Sequence, residues 1–248
     1  MSVLDTPVTS PESSAASADG DSGGGGGNST LVRIGALLSV VVLVVVFGLS
    51  DVIFSTTSGT SSGPLSAATK AKLAQLVDGH DVSSPDKALA LARAATQLER
   101  HAEAATAYSA ALNSLPSGDP LTFTALTGLV DADISAGQPR DAVSALASFE
   151  KEHAAELASG ASFGGLDATE VTLLRAKAVA AAGDVDAALA ALDKLIESRP
   201  EDFRPLLAKG LQLRNAGKDL AAERVLLKSR YLAPKEARKL VDNLIGDR

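Results

Sequence analysis

The sequence predicts an all-α protein: a row of stacked helical hairpins, an α-solenoid, preceded by a single transmembrane helix. Three observations lead there. Residues of three types recur at one spacing of 34, as Gly183 and Gly217, Ala188 and Ala222, and Pro200 and Pro234. Hydrophobic residues make up 46% of the 248 positions but aromatics only 3%, with no tryptophan, a balance that suits closely packed helices better than a β-sandwich. The stretch Ile34–Leu49 carries no charge and is nearly all apolar. Each recurring residue has a mechanical part to play. The glycine ends the first helix of a hairpin and takes the turn, the alanine lets paired helices approach, and the proline follows a second helix that it cannot continue.

Along the chain, residues 1–30 hold no Lys or Arg, are rich in Ser, Gly and acidic residues, and end in the run Gly23–Gly27. Such a composition predicts a disordered tail and lacks the Arg-rich, acid-poor character of an organelle transit peptide. Asn28-Ser29-Thr30 matches a glycosylation sequon but abuts the membrane segment and is read as compositional. Residues 31–54 are the expected transmembrane helix. From Ile34 through Phe54 a helix would run about 31 Å, the thickness of a bilayer core, with Asp51 near an interface because a carboxylate at mid-membrane is costly. Arg33 flanks one side and Lys70 and Lys72 the other. The tail's lack of basic residues favours holding the C-terminal domain on the side of synthesis.

Residues 55–65 read as a Ser/Thr/Gly-rich linker, and residues 66–246 as the helical domain. Ser66 starts a short amphipathic helix with Leu73, Leu76 and Val77 on one face, ending at Gly79. The first hairpin, residues 85–116, opens on Ser84-Pro85, a cap residue before a proline, and carries Ala104, Tyr108 and Ala111. The second, 120–157, opens on Asp119-Pro120 and turns at Gly137, with Ala142, Leu146 and Phe149 after it. From Gly137 to Gly183 is 46 residues, so about a dozen are inserted over one period. The third, 167–200, holds Ala176, Val179, Gly183, Ala188, Leu192 and Leu195; the fourth, 203–234, holds Gly210, Leu213, Gly217, Ala222 and Leu226. Residues 235–246 form a more polar cap, with Leu240, Val241 and Leu244 facing inward, as the end of a solenoid requires. The count expected is about ten helices: a leading helix, four hairpins and the cap.

The 34-residue period with its glycine, alanine and proline positions resembles the tetratricopeptide repeat. Arg175 stands where that motif prefers leucine. A narrower resemblance covers residues 166–236. Leu173-Leu174-Arg175-Ala176-Lys177-Ala178, Ala188-Leu189 and Pro200-Glu201-Asp202-Phe203-Arg204-Pro205 look like the C-terminal half of plant and algal chloroplast repeat proteins of the SLOW GREEN type. The Asp-Phe-Arg-Pro run is the most specific element. The resemblance implies a single-pass protein of a chloroplast membrane, envelope or thylakoid, that supports chloroplast biogenesis or protein homeostasis without enzymatic activity. The missing transit peptide is a departure from that family.

Catalysis finds little support. With no cysteine, disulfides and thiolate metal sites are excluded. His80 lies in Asp78-Gly79-His80-Asp81, His101 at a repeat turn, and His153, in Glu150-Lys151-Glu152-His153, reads as a surface helix residue. No pair of histidines has helical metal spacing, and the glycine run lacks the Lys-Ser/Thr of a phosphate loop. No catalytic, metal or cofactor residue is assigned. Net charge is −7, four of it in the tail, so a nucleic-acid-binding stripe is not expected.

The inner face of the row offers more. The motif directs Arg93, Thr96, Gln97, Asp131, Lys177, Arg204, Leu207, Leu211, Arg214 and Asn215 into it. Four cations on one channel suit an acidic peptide or a C-terminal carboxylate. The expected function is a membrane-anchored scaffold that binds protein partners. Two other readings stay open: a bacterial inner-membrane protein with a periplasmic repeat domain in envelope assembly, and a non-catalytic accessory subunit of a membrane enzyme complex.

Overall fold

The computed structural model describes residues 65–160 and 162–246. The tail, the expected transmembrane segment and the linker before Leu65 lie outside the described residues. Among the described residues no helix is long and apolar enough to cross a membrane.

These residues form eleven helices and no strand, the arrangement expected of an α-solenoid. They are α1 (Ala67–Asp78), α2 (Pro85–Gln97), α3 (His101–Ser114), α4 (Leu121–Ser135), α5 (Pro139–Glu152), α6 (Ala154–Ala158), α7 (Ala168–Ala181), α8 (Val185–Ser198), α9 (Phe203–Asn215), α10 (Asp219–Leu232) and α11 (Lys235–Gly246). The count exceeds the expected ten because the insertion between the second and third hairpins carries its own short helix, α6. Beyond it the chain folds back through a single bridge between Phe163 and Leu166.

Local chemistry sets the ends. Ser66 caps α1 by accepting from the Thr69 N–H, and Ser84 caps α2 by accepting from that of Lys87. Asp119 accepts from the Leu121 N–H at 2.8 Å, so α4 begins one residue after Pro120. Asp167 opens α7 with a reciprocal capping box to Glu170. The hairpin turns place Gly137, Gly183 and Gly217 at φ of 78°, 101° and 72°, a left-handed conformation that glycine adopts without steric penalty. The first hairpin puts Glu99 there instead, at φ 60°.

Packing repeats with the sequence. Ala104, Ala142, Ala188 and Ala222 are all at most 2% exposed and occupy equivalent places in the four second helices (α3, α5, α8 and α10). Tyr108, Leu146, Leu192 and Leu226 follow them into the core. In the first helices Ala92, Val130, Ala176 and Gly210 are equivalent and buried. At Gly210 the fit is tightest, since an added Cβ would lie 2.5 Å from the Leu226 side chain. Helix α4 departs from the pattern. It buries Thr127 where the other hairpins have Leu89, Leu173 and Leu207, and Asp133 opposite the buried Ala95 and Leu213 of two of them. The Thr127 hydroxyl has no hydrogen-bond partner. Burial, with Asp141 nearby, raises the Asp133 carboxyl to about 6.

Successive helices pack as neighbours, and the first helices also touch one another along the row: α2 with α4, α4 with α7, and α7 with α9. They make one continuous layer. The apolar interior falls into three contiguous clusters. At the two ends, α1 buries Val77 but leaves Leu76 exposed, and α11 buries Ala237 and Val241; the side chains of Leu240 and Leu244 lie outside the described set.

Candidate interaction face

The layer of first helices brings the sequence-selected residues onto four neighbouring elements, but in several different roles. Near the C-terminal end of α2, Arg93, Thr96 and Gln97 are exposed; the Thr96 hydroxyl donates to the Ala92 carbonyl at 2.9 Å. At the C-terminal end of α9, Arg214 is half-buried and Asn215 exposed.

Between these ends the cations are already matched. The Lys177 ammonium of α7 donates to Asp131 of α4 at 2.5 Å, both side chains being largely covered. Burial pushes the Asp131 carboxyl up from its ordinary value, with the Lys177 charge opposing. Arg93, Asp131, Lys177 and Leu211 occupy equivalent positions in successive hairpins, so the face reads cation, anion, cation, leucine. Lys177 therefore joins two hairpins rather than standing ready for a ligand.

Arg204 is more deeply committed. Its guanidinium Nη1 donates to Glu170, while Nε and Nη2 fork onto Asp202 at 2.6–3.1 Å. Asp202 also caps α9 by accepting from the Arg204 N–H at 2.9 Å. Glu170 in turn accepts from the Asp167 N–H at 2.7 Å. Arg199 stands 3.7 Å from Asp167, so the cluster holds three carboxylates and two arginines. Burial, together with Asp167, raises the Glu170 carboxyl to about 7 against the pull of Arg204. At Asp167 burial is outweighed by hydrogen bonds from Glu170 and by Arg204, and its value falls. The Asp-Phe-Arg-Pro run is thus a clamp between the third and fourth hairpins. Leu207 is fully buried and Leu211 is 6% exposed, so both belong to the core beneath the face.

The face expected to carry four unmatched cations therefore has two of them, Lys177 and Arg204, neutralised from within. Both pairs join equivalent positions of consecutive hairpins, 46 and 34 residues apart, and opposite charges at one repeat position were the available signal. Arg175 is exposed and pairs with Glu150 of α5 at 2.6 Å. It is a surface residue on a regular helix, which accounts for its departure from the motif's leucine. Lys209, one period later, makes the same kind of link to Asp193 of α8.

On the opposite side, a cavity of about 390 Å³ opens between α3, α5 and the insertion, bounded by Leu112, Leu129, Phe149, Glu152, His153 and Phe163. His153, expected on a helix surface, is half-buried in the turn between α5 and α6. Its ring lies 4.5 Å, centroid to centroid, from both Phe149 and Phe163. His80 sits in a turn at φ 48°, with Nδ1 2.8 Å from the Asp78 carbonyl oxygen. Among the described residues no group of three or more His, Asp or Glu is placed to hold a metal ion. No protein-family model and no curated protein matches the chain.

Proposed function

We propose that this protein is a membrane-anchored scaffold of the tetratricopeptide-repeat type that binds protein partners along the layer formed by α2, α4, α7 and α9. The observation that carries this reading is the continuity of that layer, built from four hairpins that repeat the same small and large core residues. A row of this kind presents an extended surface with no need for a deep pocket. The anchor rests on the apolar run of residues 34–54. A chloroplast setting, in biogenesis or protein homeostasis, rests on the resemblance of residues 166–236 alone.

The pairing of Lys177 and Arg204 changes what the face recognises. Its open groups lie at the two ends, Arg93 and Gln97 on α2 and Asn215 on α9, with a self-neutralised stretch between them. This suits an extended peptide held by polar contacts at both ends better than a polyanion held along its length. The chain has no cysteine, so single cysteines can be placed at will in the full-length protein. Photo-crosslinkers attached to Gln97→Cys and Asn215→Cys should capture the same partner from native membranes. One attached to Ser144→Cys, exposed on α5, should not. Equal capture from all three sites, or from none, would remove the first-helix layer as the binding face.

A further inference from the structure

The outer side of α10 differs from that of every other second helix. Opposite its buried Ala222, Leu226 and Ser229, it exposes Leu220 at 78%, Leu227 at 54% and Tyr231 at 81%. At 100° per residue these three fall within a 40° sector of the helix, with Arg224 and Lys228 beside them. One period earlier, α8 has Asp186, Asp193 and Glu197 at the corresponding places. The corresponding residues are Arg140, Ala147 and Lys151 on α5, and Ala102, Ser109 and Asn113 on α3. Packing does not require the change, because the inner faces of α8 and α10 bury the same kinds of residue.

Charge says what covers this stripe. Residues 218–239 hold seven Lys or Arg (Lys218, Arg224, Lys228, Arg230, Lys235, Arg238 and Lys239) against three acids, in a chain whose net charge is −7. Arg230 is paired with Asp242 and Lys218 lies 4.0 Å from Asp186, while Arg224 and Lys228 flank the stripe itself. An exposed Tyr and two Leu flanked by long cationic side chains have the composition of a surface that rests in the headgroup layer of an anionic bilayer. There the apolar groups reach the acyl boundary, and each cation near the surface adds electrostatic attraction. We infer that the outer stripe of α10, Leu220, Arg224, Leu227, Lys228 and Tyr231, is a peripheral contact for anionic lipid. The inference rests on the membrane setting of the proposed function and adds a second attachment at the far end of the row from the anchor. A tether at one end raises the local concentration of the other at the same bilayer, so a stripe too weak to bind alone suffices.

The chain has no tryptophan, so one placed by Tyr231→Trp in the full-length protein reports that position alone, and one placed by Glu197→Trp reports the equivalent position of α8. Each variant is incorporated into phosphatidylcholine vesicles with and without phosphatidylglycerol. With phosphatidylglycerol, the indole at position 231 should shift to the blue and lose emission to brominated acyl chains. It should recover in high salt or when Leu220→Ser and Leu227→Ser are added, while the indole at position 197 stays water-exposed throughout. An indole at 231 that stays water-exposed on anionic vesicles overturns the inference. So does a blue shift that needs no phosphatidylglycerol and grows with protein concentration, which would mark a protein–protein contact. Flotation after an alkaline wash reads the anchor separately, so a chain that floats with position 231 in water loses the stripe and keeps the anchor.

Discussion

The third hairpin (α7–α8) and the fourth (α9–α10) run in strict 34-residue register and bury most of the same positions, yet their surfaces have diverged at many exposed sites. Ala188 and Ala222, and Leu192 and Leu226, are equally buried, because each second helix must press against its own first helix at the same depth. At the joint between the hairpins the same register puts Glu170 against Arg204, so one position serves as acid in one unit and base in the next. On the outer side Asp186, Asp193 and Glu197 give way to Leu220, Leu227 and Tyr231. Positions constrained by the fold repeat, and positions free of it carry what distinguishes the units. A feature special to this protein should therefore be sought where the repeat fails.

The largest test of the comparison lies at the joint. Arg204→Met keeps bulk but leaves the buried Glu170 and the half-buried Asp202 without their partner. Removing one member of a buried pair costs about 3–5 kcal/mol, so chemical denaturation should show a loss of that order. Adding Glu170→Gln should restore a part of it. A loss below about 1 kcal/mol, the worth of an exposed pair, would mean that the two hairpins are held by apolar contact alone.

The same joint should make stability depend on pH. The Glu170 carboxyl titrates at about 7 in the folded chain against an ordinary 4.5. Between those values the folded state binds more protons at this group than the unfolded one, so the Glu170 contribution to stability is fully present below about pH 4.5 and is lost as pH rises through 7. Asp133, raised to about 6, acts in the same direction. Together they should cost on the order of 4–5 kcal/mol across that window, and Glu170→Gln should flatten the larger share. A stability curve that rises from pH 5 to 7, with Glu170→Gln leaving its slope unchanged, would contradict the raised carboxyl.

Within the hairpins, Gly210 and Ala176 are equivalent but not interchangeable. Gly210→Ala places a Cβ 2.5 Å from Leu226 Cγ and Cδ2, so the α9–α10 pair must open. Overpacking of this kind costs about 1–3 kcal/mol, more than the gain in helix propensity from alanine. Ala176→Gly should cost about 1–2 kcal/mol, from helix propensity and the loss of one buried methyl. A Gly210→Ala variant that melts no lower than the parent would show that the fourth hairpin is packed more loosely than its geometry states.

How much of this was readable beforehand follows the same division. The helix starts at Ser66 and Ser84-Pro85, the glycine turns and the buried alanines were legible because backbone conformation and close approach admit few residue types. The pairs Asp131–Lys177 and Glu170–Arg204 were written at equivalent repeat positions, but they show only when the units are aligned and their charges compared across hairpins rather than along one. The seat of His153 between Phe149 and Phe163 was not readable. It depends on an insertion that follows no period, and no spacing rule brings Phe163 back over α5.

The smallest expected effect extends the comparison to the first hairpin. Glu99 occupies the left-handed turn position filled by Gly137, Gly183 and Gly217 elsewhere. An L-residue with a Cβ holds that conformation at a cost of roughly 1–2 kcal/mol. Glycine removes this strain but gives back part of it through the greater freedom of its unfolded chain. Glu99→Gly should therefore stabilise the protein by about 0.5–1 kcal/mol, read as a rise in the denaturation midpoint with an unchanged slope. The converse, Gly183→Glu, should destabilise by a similar amount even though nothing lies within 4 Å of an added Cβ there, because the strain is in the backbone and not in crowding. If Glu99→Gly lowers the midpoint instead, the Glu99 side chain makes a contribution that outweighs its backbone, and the first hairpin turns on a different principle from the other three.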